Sequence, residues 1–364
     1  MKKHSYIRGK IHPGYLIAAF AVALAGVMLV FFTRSETLTP YADVQLAAAQ
    51  RMQKANAYLK ERIIEEGIPL EADLDPNETY LVGPEWTPLT TTLGHLEAKR
   101  SALNPNYAAL LVYYFKEAGL EAGDTLAVGT SGSFPGLAIA TFCAAEEMGL
   151  DVKCSASFGS SMYGGTRPEF TTIRMLEELK SAGIISYELL AISPGGTNDY
   201  GESMLFPDSR GLIHGLAAEL DVEYIDYNNI EKSIARRVEL FGEDVDCFVN
   251  VGGASVNSGT SAYTLNFPNG VVIKPPRIPT TPNRGLMYEY AARGVPVVNM
   301  LNVRQLCADH GLPYDPVPMP EPGEGGVYYD TVYSRPLAIL TVLLCIGVLA
   351  FGHIRYKKRI LQEN

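Results

Sequence analysis

Two apolar runs without a single charge bracket this chain and limit where the rest of it can fold. Gly14 to Phe32 carries no charged residue over nineteen positions, and Leu337 to Gly352 none over sixteen. At about 1.5 Å of rise per helical residue, the first crosses a ~30 Å hydrocarbon layer unaided. The second does so with help from Pro336 and the turn at His353, at slight mismatch. Lys2, Lys3, Arg8 and Lys10 lie outside the first run, and Arg355, Lys357, Lys358 and Arg359 outside the second. The inner flanks offer only Arg34 and Arg335. The positive-inside rule therefore predicts cytoplasmic termini and an extracytoplasmic middle. A cleaved signal peptide is the plainer alternative for the first run, but the apolar stretch continues past the small residues at 23–26, which suits an uncleaved anchor. For the second, a buried core helix is the alternative, and the Lys357-Lys358-Arg359 cluster argues for stop-transfer instead. The expected organisation is tails at 1–13 and 353–364 and transmembrane helices at 14–32 and 336–352. Between them come an amphipathic helical stalk at 33–70, an α/β domain at 71–311 and a Pro/Gly-rich spacer at 312–335.

With 19% charged and 47% hydrophobic residues, the middle is a packed globular protein rather than a disordered one. The tails hold eight of the 30 Lys and Arg but only Glu363 of the 40 Asp and Glu. The middle thus has a formal charge of about −17, which repels nucleic acid and anionic headgroups at long range. Nucleic-acid binding is excluded on that ground. Of five cysteines, Cys345 lies in the second apolar run; Cys143, Cys154, Cys247 and Cys307 sit in strand-like and helix-like contexts. They read as buried free thiols, although four cysteines allow three pairings. The chain has no Cys-x-x-Cys, His-Glu-x-x-His or Asp-rich calcium loop, so neither a metal site nor a cofactor is expected.

From Asn106 onward, strand-like runs alternate with helical ones. Helices are expected at 107–119, 135–149, 168–183, 210–220, 230–241, 286–293 and 303–310, and strands at 125–128, 152–155, 187–192, 247–251 and 296–299. That alternation means βαβ units and a mostly parallel, twisted sheet with helices on both faces, an α/β fold. Residues 40–67 place Leu46, Met52, Leu59 and Ile63 near helical spacing, the basis for the stalk. Prolines at every second or third position over 312–326 favour an extended polyproline II spacer. Tyr328, Tyr329 and Tyr333 would then sit at the headgroup level.

Four strand candidates end in loops of the same Gly/Ser/Thr composition, at 129–136, 157–166, 193–199 and 252–261. A parallel sheet gathers such ends on one edge, where α/β folds bind ligands. Glycine lets backbone amides approach a ligand, and hydroxyls add donors. Gly129, Gly132, Gly136, Ser160, Gly164, Gly195, Gly196, Thr197, Gly252, Gly253 and Ser255 are the candidate ligand-binding residues. A helix starting near Pro135 would favour an anion at the same edge. The plainer reading is that these residues only make tight turns.

Gly129-Thr-Ser131-Gly-Ser133 also approximates the nucleophile elbow G-x-S-x-G between a strand and a helix, with Ser133 where its last glycine belongs. Ser131 or Ser133 is the candidate nucleophile, His95 or His214 the base, and Asp199 or Glu97 the orienting acid. The segment 82–107 stands apart, holding the only Trp, Trp86, together with His95, Lys99 and Arg100. It is expected to form a lid or wall over the strand-end loops, with Lys99 and Arg100 suiting a carboxylate; a Thr-rich loop capped into a helix is the simpler alternative.

The stretch from Gly83-Pro-Glu-Trp-Thr-Pro through Gly94-His-Leu-Glu-Ala-Lys-Arg100, followed by Ser101-Ala-Leu-Asn-Pro-Asn106 and 128–136, resembles the bacterial family called poly-gamma-glutamate system protein. The resemblance covers most of residues 10–355, including both apolar runs. It implies an accessory membrane protein beside the poly-gamma-glutamate synthase subunits, in capsule or released-polymer synthesis at the bacterial cytoplasmic membrane. It transfers no catalytic residue. The expected function is a non-enzymatic accessory one, binding emerging polymer or a synthase partner through the Gly/Ser loops. The alternative is an extracytoplasmic serine hydrolase or transferase that trims, releases or attaches the polymer. A small-molecule sensor is a third reading, for which the short tails leave little room.

Overall fold

The structure, a computed structural model, describes residues 11–362 apart from 203 and 276. Lys2, Lys3, Arg8, Lys10 and Glu363 of the expected tails lie outside the described residues. In chain order the elements begin α1 (Pro13–Phe32), β1 (Ser35–Leu38), α2 (Ala42–Glu65), β2 (Thr90–Thr92), α3 (Leu96–Ser101), α4 (Asn106–Glu117), β3 (Thr125–Ser131), α5 (Pro135–Met148), β4 (Asp151–Ser157) and β5 (Ser160–Ser161). They continue as α6 (Thr172–Ser181), β6 (Glu188–Ser193), α7 (Ser209–Ala218), β7 (Glu223–Tyr224), α8 (Ile230–Phe241), β8 (Cys247–Val251), α9 (Ser255–Ser258) and β9 (Gly270–Val272). The last are α10 (Gly285–Ala292), β10 (Val297–Met300), α11 (Val303–His310), β11 (Tyr329–Val332) and α12 (Arg335–Gln362). A terminal unit runs to Thr39 and resumes at Tyr329; the central unit is Pro40–Tyr328.

In the terminal unit, α1 and α12 are both long and apolar enough to cross a membrane. They run antiparallel, with Tyr15 against Phe351 and the Cys345 thiol on the Ala19 carbonyl. A Cβ on Gly26 would lie 2.1 Å from Thr341 Cγ2, so the close approach of the two helices depends on glycine there. β1 and β11 form an antiparallel ribbon, Ser35 opposite Val332 and Leu38 opposite Tyr329. Its strands are too short to show in the hydrophobic pattern.

The central unit is built on a seven-stranded sheet in the order β7-β6-β4-β3-β8-β10-β9. All neighbours are parallel except β9, which runs antiparallel to β10. Alternate side chains enter opposite cores, as the two-residue strand period requires. Leu126, Val128, Val249 and Val298 join the core that takes in α2, α4, α5, α6 and α11, while Ala127, Phe248 and Val297 join the one beneath α8 and α10. The α/β expectation therefore describes this unit. Local signals set the helix ends. Pro135 opens α5 and Gly149, at φ 67°, closes it, while Thr171, Asn229 and Asn302 cap α6, α8 and α11 by accepting from N–H groups of the first turn.

Two expectations need correction. The helix of 40–67 is no stalk: Met52, Ala55, Leu59 and Ile63 of α2 are fully buried in the main core, so its apolar stripe is covered by the domain itself. The stretch 312–328 is no free spacer either. Arg100 holds Asp315 through two 2.6 Å contacts, Asn77 donates to the Pro316 carbonyl at 2.9 Å, and Asn106 to that of Glu321 at 3.0 Å. Tyr328 is buried and donates to Asn106 Oδ1. Nor is it one continuous extended run, since it bends at Asp315 (φ 54°), Gly323 (φ 97°) and Gly325 (φ 113°); proline spacing could reveal neither these bends nor these partners. Cys143, Cys154, Cys247 and Cys307 are buried and unpaired.

Truncating Leu59 tests the place of α2. Leu59→Ala in the full chain is expected to cost about 2–5 kcal/mol through the cavity it leaves. A urea midpoint equal to the wild type would mean that α2 does not belong to the core.

Candidate functional site

Every parallel strand of the central sheet ends on the same edge, and β3 sits where the order reverses, with β4 on one side and β8 on the other. Ligands of open α/β sheets bind at such a switch point. A cleft of about 590 Å3 lies there, within the usual ~300–1,000 Å3 of ligand pockets. Its floor comes from the ends of β3 (Ser131, Ser133, Phe134), β4 (Ser157, Gly159, Ser161), β6 (Gly196, Thr197), β8 (Gly253, Ala254, Ser255) and β10 (Leu301 to Arg304). Thr91 through His95, Ala98, Lys99 and Tyr314 complete the wall. All four Gly/Ser loops thus reach one cavity.

The segment 82–107 forms part of that wall because β2 pairs in parallel with β5, Thr90 beside Ser160 and Thr92 beside Ser161. Trp86 is half exposed and takes no part in the lining. Lys99, on α3, is only 4% exposed. Its Nζ contacts the Ser133 carbonyl and Ser161 Oγ (2.7 Å), and lies 3.5 Å from the centre of the Phe134 ring. No carboxylate pairs with it among the described residues. Burial without a counter-charge disfavours the ammonium form and brings this lysine down to about 7.

The other sequence candidates separate clearly. Ser131, Ser133, His95, Lys99, Gly196, Thr197, Gly253 and Ser255 line the cleft. Arg100, on the same helix as Lys99, is turned away and bound to Asp315. His214 is on α7, edge-on to Tyr224, and lines no part of the cleft. Asp199 orients no histidine; it is buried against Arg237 at 2.8 Å. Glu97 is exposed on α3. The set Ser131 or Ser133, His95 or His214, Asp199 or Glu97 is therefore not assembled as a triad.

Several glycines serve packing rather than ligand approach. A Cβ on Gly129 would strike Asn257 Oδ1, on Gly132 the Phe158 carbonyl, on Gly136 the Ala102 carbonyl, and on Gly164 the Ser160 hydroxyl. Ser160 is fully buried and donates to the Ser161 carbonyl. Gly195 bridges to Tyr200. Gly252 sits at φ 86°, a backbone conformation that other residues adopt only with strain, and a Cβ there would crowd Ser131 Oγ at 2.6 Å.

Beneath the cleft, Arg237 of α8 ties the loops together. It donates to Ser155 Oγ and Ser193 Oγ, each at 2.8 Å, and Ser193 Oγ donates to Asp199 Oδ1 at 2.8 Å. This buried network fixes the 193–201 turn that carries Gly196 and Thr197.

Sequence reasoning did not single out Ser157, Ser161 or Arg304. The Ser157 hydroxyl is buried in the lining with no hydrogen-bond partner, an orphan that a ligand could satisfy. Arg304 is exposed, stacks over Tyr314 at 4.6 Å, and has no acidic partner among the described residues. The signal for it existed: it opens the helix that follows strand 297–300, hence lies on the same sheet edge.

Asp199→Asn would leave the buried Arg237 without its counter-charge. The expected loss is about 3–5 kcal/mol, read as a lower denaturation midpoint; an unchanged midpoint would contradict the structural role of this pair.

No protein-family model matches the chain, and no curated protein matches it either. Among solved structures, the crystal structure of O-ureido-L-serine synthase is similar over 58% of this chain and 68% of its own length, at 16% identity and a TM-score of 0.17, a likeness too loose to bear on function.

Proposed function

We propose that this chain is an accessory membrane protein of bacterial poly-gamma-glutamate synthesis or export, whose cleft binds the anionic polymer. The observation that supports it most is a segregation of charge. In a middle segment of formal charge about −17, the cleft lining has no Asp or Glu among the described residues and includes the Arg304 cation, with His95 and Lys99 as further N–H donors. The N-terminal ends of α5 and α11 reach the same cavity through Phe134 and Val303, and helix N-termini favour negative charge.

A polymer with a carboxylate on every unit is repelled by the net acidic surface and attracted at this cleft. That distribution suits a grip on a chain end or a few units, with the rest of the strand free to leave. The two apolar helices act as anchors in the bacterial cytoplasmic membrane. The basic residues outside both runs support cytoplasmic termini by the positive-inside rule, with the central unit on the other side. The synthase subunits are the expected neighbours, as the family resemblance implies.

The test is calorimetry of the full chain in detergent with gamma-linked glutamate oligomers, and alpha-linked oligomers as control. Saturable binding that prefers the gamma linkage is expected, weakening with salt. Arg304→Glu should weaken it at least ~10-fold, about 1.4 kcal/mol. Absence of binding, or full affinity in Arg304→Glu, would overturn the reading.

A further inference from the structure

The contacts of Lys99 carry an inference that rests on the cleft being a ligand site but not on the identity of the polymer. We propose that Ser161 and Lys99 form an acyl-transfer centre, with the Ser161 hydroxyl as nucleophile and the Lys99 amine as its general base.

The geometry is specific. The Ser133 carbonyl can only accept, so an N–H of Lys99 points at it. A neutral amine has one lone pair, and the Ser161 hydroxyl, 2.7 Å away, is the group that can donate to it. The third direction meets the Phe134 ring face. Burial makes the neutral form available near pH 7, as a lysine base requires. Ser161 is held in register by the β2–β5 pairing, and its N–H donates to Ser133 Oγ at 3.0 Å. The backbone N–H of Phe134, which has no acceptor among the described residues, stands at the start of α5 as a donor for a developing oxyanion. Histidine has no part in this arrangement, which is why the nucleophile elbow and its candidate bases pointed elsewhere. Serine–lysine pairs are one of the recurrent substitutes for a serine–histidine–acid triad.

The chemistry balances with water alone. Ser161 Oγ attacks the carbonyl carbon of an amide and its proton passes to Lys99. The tetrahedral intermediate collapses, the C–N bond breaks, and the Lys99 ammonium protonates the departing amine. Water, deprotonated by the same amine, attacks the acyl-serine; the product is a carboxylic acid and Ser161 regains its proton. An amine in place of water would give transfer instead of hydrolysis. The substrate class is an amide flanked by carboxylates, given Arg304 and the lack of acids in the lining.

The titratable groups that share the cleft with Lys99 are His95, Arg304 and Tyr314; on its own helix, Glu97 is exposed and Arg100 is paired with Asp315. A pH profile of the nucleophile is therefore assigned by comparison with Lys99→Arg, which removes the rise if it belongs to Lys99 and keeps it if it belongs to His95.

The test treats the full chain in detergent with a fluorophosphonate and follows it by intact-mass and peptide-mapping mass spectrometry. Phosphonylation releases fluoride and forms one Oγ–P bond. The expected result is a single adduct on Ser161 whose rate rises with pH through about 7, because the base must lose its proton. Ser161→Ala should abolish it, and Lys99→Arg should slow it at least ~100-fold. No adduct, an adduct on Ser133, or a rate indifferent to pH would overturn the proposal, and the wild-type profile decides even if a variant fails to fold. A parallel arm exposes the chain to glyoxylate and borohydride. Reductive trapping on Lys99 without phosphonylation of Ser161 would also overturn it, making the amine itself the nucleophile. Labelling of Ser161 in a chain that binds no glutamate oligomer would leave this centre standing and remove only the polymer.

Discussion

A lysine buried without a carboxylate is the constraint on which the rest of the site depends. Lys99 is almost inaccessible, yet among the described residues its Nζ meets a carbonyl, a hydroxyl and an aromatic face and no carboxylate. Together they do not replace the hydration an ammonium loses on burial, so the fold pushes this group toward neutrality. The penalty has a definite sign. Its folded value lies below the unfolded ~10.4, so between about 7 and that value the unfolded chain binds the extra proton and stability rises with pH. Below 7 the full cost of the buried cation is present. A side chain that works against stability in this way is a common mark of a functional site.

The sheet makes that burial tolerable by surrounding it with rigid parts. Ser133 lies just past the end of β3 and Ser161 on β5, just past the end of the neighbouring β4, and the short β2–β5 pairing closes the segment carrying Lys99 over them. The Arg237–Asp199 pair fixes the neighbouring turn from below. Acidic residues are numerous in the domain but lie outside the cleft. One edge of an otherwise acidic protein is thereby left with amide donors, hydroxyls and basic groups.

Much of this was legible in the sequence. Helices at 230–241 and 303–310 and the strand at 247–251 fall on their expected limits, because strong caps and apolar runs coincide there. Convergence of the four loops followed from parallel topology alone. What escaped were features set by tertiary partners. The stripe of α2 looks the same whether it faces a membrane, a partner or its own core, and only packing decides. Strands as short as β2 and β5 carry no period, so the pairing that brings Ser161 to Lys99 had no sequence signature. Arg100 was indistinguishable from its neighbour Lys99 until one turned to Asp315 and the other to the cleft. Asp199 read as an orienting acid because its buried partner lies 38 residues away in α8.

The ionisation of Lys99 tests this account most directly. The full chain, labelled with 13C at lysine Cε and compared with Lys99→Met for assignment, can be titrated by NMR in detergent. The account predicts one lysine with a midpoint near 7, absent from the Lys99→Met spectrum. A Lys99 signal that stays protonated to pH 10 would contradict it, since a permanent cation at that position could serve neither as base nor as nucleophile.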